Sequence, residues 1–153
     1  MRRAEKEIRH PAELEDVLRR GTICRLGLCS DSVPYVVPMN YGYSDGSIYL
    51  HCATSGRKIE MVRRNDRVCF EVEVDTELVR NNSACGWGMR FTSIIGYGRL
   101  EELHGPVEKR RGLGVLMEHI SGRGAWEIPE DGLADVLVLR LRIETMTCKR
   151  SGD

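Results

Sequence analysis

The sequence predicts a mainly β protein with added helices, an α+β fold organised as a six-stranded antiparallel β-barrel. Three observations carry this. Period-two alternation recurs along the chain, most cleanly in "RVCFEVEVDTELV", where Val68, Phe70, Val72 and Val74 oppose Cys69, Glu71, Glu73 and Asp75. The early extended runs are joined by short turn signals, "DSVP" and "SDG", of the kind that link antiparallel neighbours. Helical patterns are few and sit between strand runs without the regular βαβ order of a parallel sheet.

Taken in order, "PAELEDVLRR" opens with Pro11, ends on Arg19-Arg20 and meets Gly21, which reads as a short helix. "TICRLGLC" alternates as a first strand. "YVVPMNYGY" is a second, in which Pro38 lacks a ladder donor and marks an edge, a bulge or a place that serves something other than a sheet. "SIYLHCA" is the third. After a Ser-Gly turn, Ile59, Met61 and Val62 give a short helix its apolar side. "RVCFEVEVDTELV" is the fourth strand, "RNNSACGWGM" a loop, and "RFTSIIGYGRLEEL" the fifth strand, whose Gly96 and Gly98 share a face and demand a close neighbour. Gly105-Pro106 starts a helix to about His119, and "ADVLVLRLRIETMTCK" is the sixth strand.

At 153 residues the chain, 1–153, is expected to be a single domain. Its 23 basic and 23 acidic residues leave no charge excess to recommend nucleic acid or an anionic membrane. A charged N-terminal stretch and the lack of any long apolar run predict a cytoplasmic protein with no membrane partner. Six cysteines without a C-x-x-C pair read as structural or incidental thiols, and no metal is expected.

One segment stands apart. In "HCATSGRKIE" the first helical turn, after an N-cap at Thr54 or Ser55, carries Arg57 and Lys58, although helix N-termini favour acids. Two cations, free amide groups, the Ser55 hydroxyl and a glycine describe an anion site, most naturally for phosphate. A solvated pair of surface cations is the plain alternative.

These segments, with "PYVVPMNYGYSDGSIYLHCATSGRKIE", "NDRVCFEVE" and "CGWGMRFTSIIGYGRLEEL", resemble the FMN-binding split-barrel proteins related to pyridoxamine 5′-phosphate oxidase, within them the 5-nitroimidazole resistance subgroup. The resemblance implies FMN as cofactor and a homodimer with flavin at the subunit interface. By it, Pro38, Met39, Asn40 and Tyr41 lie along the flavin ring, largely through backbone. Ser55, Arg57 and Lys58 hold the phosphate. His51 lies near the flavin or the substrate, a candidate catalytic residue. Trp87 and Ser93 approach the ring, often from the other subunit, and Gly96 and Gly98 admit a subunit or ligand. Each has a bland rival: Trp87 as a barrel plug, His51 as a hydrogen-bonded core histidine, Arg90 as a surface charge rather than an anion contact.

The implied function is an FMN-dependent oxidoreductase that reduces a small oxidised substrate, a nitroimidazole-type nitro compound being one candidate, with NAD(P)H or a protein as electron donor. A flavin-binding carrier or sensor with little turnover and a haem-binding split barrel are the alternatives. No G-x-G-x-x-G motif for a resident nicotinamide nucleotide is present. True pyridoxamine-phosphate oxidation is disfavoured by the chain's ending "TMTCKRSGD", which lacks an Arg-rich substrate signature.

Overall fold

A computed structural model describes residues 4–152; residues 1–3 and 153, which the expected single domain includes, lie outside the described residues. The elements in chain order are β1 (Glu7–Ile8), α1 (Pro11–Arg20), β2 (Ile23–Ser30), β3 (Val33–Asn40), β4 (Gly42–Ser44), β5 (Ser47–Cys52), α2 (Arg57–Arg64), β6 (Arg67–Val79), β7 (Gly88–Leu103), α3 (Pro106–Ser121) and β8 (Leu137–Ser151). Among the described residues there are thus eight strands where the sequence predicts six. The difference has two causes. A two-residue strand, β1, pairs with β8, and "YVVPMNYGY" breaks at Tyr41 into β3 and β4.

The sheet is antiparallel throughout, in the order β3-β2-β6-β7-β8-β5-β4, with β1 on β8. Its ends are consecutive in the chain. β3 stops at Asn40 and β4 starts at Gly42, so Tyr41 alone carries the backbone from one end of the sheet to the other. That is possible only if the sheet curls until its ends meet, and β3 and β5 do come together across the seam. Pro38 accordingly lies on an end strand, where no ladder donor is missed.

Local chemistry sets the turns. Asp31 and Ser32, then Asp45 and Gly46, all take positive φ, the two-residue hairpin geometry that matches strand twist. The β6 alternation buries Val68, Phe70, Val72 and Val74 and then stops at a register shift between Val74 and Glu77. There Asp75 takes a φ of 57° and accepts two hydrogen bonds from the Arg20 guanidinium, at 2.7 and 3.1 Å. The bulge is thereby tied to α1.

Leu26, Phe70, Ile94, Leu139 and Leu141 fill the barrel. Tyr41 is fully buried at the seam, donates to the Leu18 carbonyl at 2.7 Å and packs on the His119 ring at 4.8 Å. His119 accepts from the Tyr43 N–H at Nδ1 and reaches the Gly21 carbonyl with Nε2 at 2.6 Å, which clasps α3 to β4 and to the end of α1. α3 covers a smaller outer cluster of Tyr49, Leu103 and Val138, so Val138 is buried although the alternation of β8 points it outward. Gly96 and Gly98 do have close neighbours, but these belong to the same chain. A Cβ at Gly96 would enter the Phe70 ring, and one at Gly98 would meet the β8 backbone at Arg142.

Candidate functional site

α2 begins after Gly56, whose φ of 121° is strained for any residue with a side chain. Gly56, not Thr54 or Ser55, is therefore the N-cap, and Arg57 and Lys58 occupy the first two helical positions. No side chain caps this end, and backbone N–H donors of the first turn are left for another partner.

The four cations of α2 divide sharply. Arg63 pairs with Glu102 at 2.7 Å and Arg64 with Asp31 at 2.7 Å. Arg57 and Lys58 have no carboxylate partner among the described residues. The Arg57 guanidinium instead lies over the Tyr35 ring, 4.7 Å from its centroid, and Lys58 Nζ points at Met39 Sδ, 3.4 Å away. Tyr35 and Met39 share the inward parity of β3, so barrel closure brings that strand to the start of α2. Cys52, the last residue of β5, completes the group: burial pushes its thiol upward while the Lys58 ammonium beside it pulls the other way.

The other predicted residues fall into separate places. Pro38 and Asn40 are exposed on the seam strand. Tyr41 is fully buried and committed to the core, so it offers no surface to a ligand within this chain. Ser55 is exposed immediately before Gly56. His51 is exposed and has the parity opposite to Cys52, so it faces away from Lys58. Ser93 is half-buried on the outer face of β7, opposite Glu73 and Lys149. Arg90 is held by Glu77 at 2.6 Å and donates to the Gly152 carbonyl.

Trp87 is half exposed at the tip of the β6–β7 ribbon. Register aligns Met39 with Cys24 and Cys24 with Val72, and Trp87 lies past Val79, seven residues further along β6. At about 3.3 Å per residue that is about 23 Å of strand. Within one chain Trp87 does not reach Lys58. Tyr35 and Cys52 are the members of the site that sequence reasoning missed; the alternation of β3 placed Tyr35 with Met39, but only closure of the barrel could join them to α2.

This cradle suits a phosphate: two unpaired cations, free N–H groups and a glycine with open space above it. Comparison with known proteins bears on its identity. A solved protein from Bacteroides thetaiotaomicron VPI-5482, named as a putative 5-nitroimidazole antibiotic resistance protein, is 30% identical, with a TM-score of 0.83 over 94% of this chain and 86% of that one. A FAD-binding protein from Mesorhizobium loti is 27% identical, with a TM-score of 0.69, covering 94% and 96% of the two chains. A flavocytochrome from Azotobacter vinelandii, 18% identical with a TM-score of 0.83 over 100% of this chain and 72% of that one, shares the fold. An uncharacterized protein of Rhizobium meliloti (strain 1021) is 30% identical over 91 residues, 60% of this chain; the match spans about half, 53%, of that relative's length. The family profile described as pyridoxamine 5′-phosphate oxidase matches residues 10–150, nearly the whole fold, and the chain belongs to that family.

Proposed function

We propose that the chain is a flavin-dependent oxidoreductase of the cytoplasm that reduces a small oxidised compound, a nitro compound of the nitroimidazole type being the candidate substrate class. The carrying observation is the pair of uncompensated cations at the start of α2, beside the seam. Arg57 and Lys58 would hold the flavin phosphate, with Tyr35 and Met39 setting the directions of their side chains. FMN is the smallest flavin that satisfies such an anchor. The backbone of Pro38 to Asn40, at the end of β3, is the platform for the ring. When bound, the flavin supplies electron transfer from a nicotinamide nucleotide or protein donor to the substrate. The protein's share is to bind, orient and shield it. His51, on the outward face of β5, is a candidate substrate contact.

The same reading includes a homodimer. Val36, Gly27, Cys69 and Tyr97 align across four strands of the outer face, flanked by Ile95, with Val36 64%, Tyr97 50% and Ile95 47% exposed. Such a row of apolar groups on one sheet face is suited to a second copy. That copy would also supply the Trp87 which this chain's own ribbon carries away from Lys58.

The visible absorption spectrum of the purified protein, with the released cofactor weighed by mass spectrometry, tests the proposal. An oxidised-flavin spectrum that bleaches with NADH or NADPH and recovers with a nitroimidazole supports it. A protein that is colourless and does not take up added FMN or FAD overturns it. Flavin without turnover leaves a carrier or sensor.

A further inference from the structure

Along β7 the outward side chains read Trp87, Met89, Phe91, Ser93, Ile95 and Tyr97. The register shifts beside this strand carry their extra residues on β6, between Val74 and Glu77, and on β8, where Thr145 and Ile143 oppose adjacent residues of β7, so the alternation of β7 itself runs unbroken. Trp87, just before the strand, is extended and keeps the same parity. Trp87, Met89, Ile95 and Tyr97 are all exposed, and Leu78, directly opposite Met89, widens the stripe. At about 3.3 Å per residue the stripe runs about 33 Å. It is continuous with the row from Val36 to Tyr97.

The stripe reads nearly the same in both directions about Thr92. Trp87 mirrors Tyr97, Met89 mirrors Ile95 and Phe91 mirrors Ser93. A two-fold interface needs a surface that complements itself, and two placements of a second copy would lay this stripe on itself. With the axis along the strands, each residue meets its own counterpart and the two ribbon tips lie on each other. With the axis across the strands at Thr92, Trp87 meets Tyr97 of the second copy and Met89 meets its Ile95. Support for the ribbon separates the two. Past the pairing of Phe91 with Ser151 only β6 and β7 continue, and a two-stranded ribbon is marginal alone. Arg20 fastens its base at Asp75, but Leu78, Met89 and Trp87 on its apolar face have no cover among the described residues. The crossing axis sets that face against the body of another sheet. It also brings Trp87 of the second copy to the level of Tyr97, Cys69, Gly27 and Val36, one residue from the Tyr35 that underlies Arg57.

We propose that a second copy of this chain docks along β7 with its own β7 running in the opposite direction, the two-fold axis crossing the strand at Thr92, so that Trp87 of each copy packs on Tyr97 of the other. The proposal rests on the homodimer reading above and adds to it the axis and the residues that meet.

Spin labels on the flank of the stripe test it. Thr147→Cys and Arg142→Cys each place a label at an exposed position of β8, opposite Ile95 and Arg99, three and seven residues from Thr92. Both are made in a chain whose Cys29, Cys52, Cys69 and Cys85 are replaced by Ser, leaving the buried Cys24 and Cys148. Pulsed double-resonance spectroscopy reads the distance between the labels of the two copies, and light scattering checks that each labelled protein keeps a mass of twice 17.4 kDa. Each residue of distance from a crossing axis separates the copies by two strand rises, so about 20 Å is expected at position 147 and about 46 Å at position 142. Near-equal distances at the two positions, or a longer one at 147, overturn the proposal and leave the homodimer standing. A single-chain mass for the unlabelled wild type removes the homodimer and the axis together.

Discussion

The guanidinium of Arg57 rests on the ring of Tyr35, 4.7 Å from the centroid, and this contact joins the first position of α2 to the third residue of β3. A cation over an exposed aromatic face is worth about 0.5–1 kcal/mol. Tyr35→Leu should therefore weaken flavin binding a few-fold, and Tyr35→Phe should restore it. Fluorescence quenching by the apoprotein measures both, and equal affinities in all three proteins would deny Tyr35 any part in aiming Arg57.

Lys58→Ala removes one partner of the proposed charge-assisted contact, a loss of roughly 1.5–3 kcal/mol in flavin affinity. Arg63→Ala, whose guanidinium is already engaged with Glu102, serves as the matched control and should leave affinity unchanged. If the two variants behave alike, the anchor lies elsewhere.

For the outer face, Tyr97→Arg should bring the light-scattering mass from twice the 17.4 kDa chain down to a single chain. A dimer that survives the substitution would move the interface off this face.

Gly42 and Gly114 make opposite predictions. A Cβ at Gly42 would stand 2.5 Å from Leu116 Cα and 2.7 Å from Val115 C, backbone atoms of α3 that cannot yield alone. Gly42→Ala should destabilise by about 1–3 kcal/mol through overpacking. Gly114, inside α3 with nothing within 4 Å of its Cβ position, should gain up to about 1 kcal/mol on replacement by Ala. Chemical denaturation of both variants decides the matter; a silent Gly42→Ala would contradict the close approach of β4 and α3.

Alkaline pH should loosen the barrel. Burial pushes the Cys24 thiol from 9.0 up to about 12, and burial raises the Tyr41 hydroxyl in the same direction. Both folded-state values exceed the unfolded ones, so between them the unfolded chain binds fewer protons. Their contribution is complete below 9.0 for Cys24 and is lost as pH rises toward about 12. Urea midpoints should fall steadily above about pH 9, and Cys24→Ala should lessen the slope. A midpoint flat to about pH 11 would contradict the burial of both groups.

What could be read from the sequence was what is decided locally. The hairpin turns at Asp31-Ser32 and Asp45-Gly46, the Pro11 start of α1 and the alternation of β6 follow from residues close in the chain. The N-cap of α2 was displaced because hydroxyl preference points to Thr54 and Ser55, while the backbone bend at φ 121° admits only Gly56. β1 was missed because two residues carry no period, and the break at Tyr41 because burial at the seam, not local propensity, sets it. Within the site, Arg57 and Lys58 were legible as cations in a place that favours acids. Tyr35 and Cys52 were not, since they join the cradle only when the ends of the sheet meet. His119 carried no sequence signal beyond its place in a helix, and its clasp depends on three elements arriving together.

The end strand β3 has a consequence for how the molecule behaves in a crowd. An unpaired strand edge is a template on which another chain can add its own strand. Pro34 and Pro38 delete two of the N–H donors in this eight-residue strand, at positions of the same parity. An incoming peptide would find a ladder with alternate rungs missing. The open margin of the barrel is thus a poor place to begin an aggregate, and it stays free for a ligand that does not need a sheet to hold it.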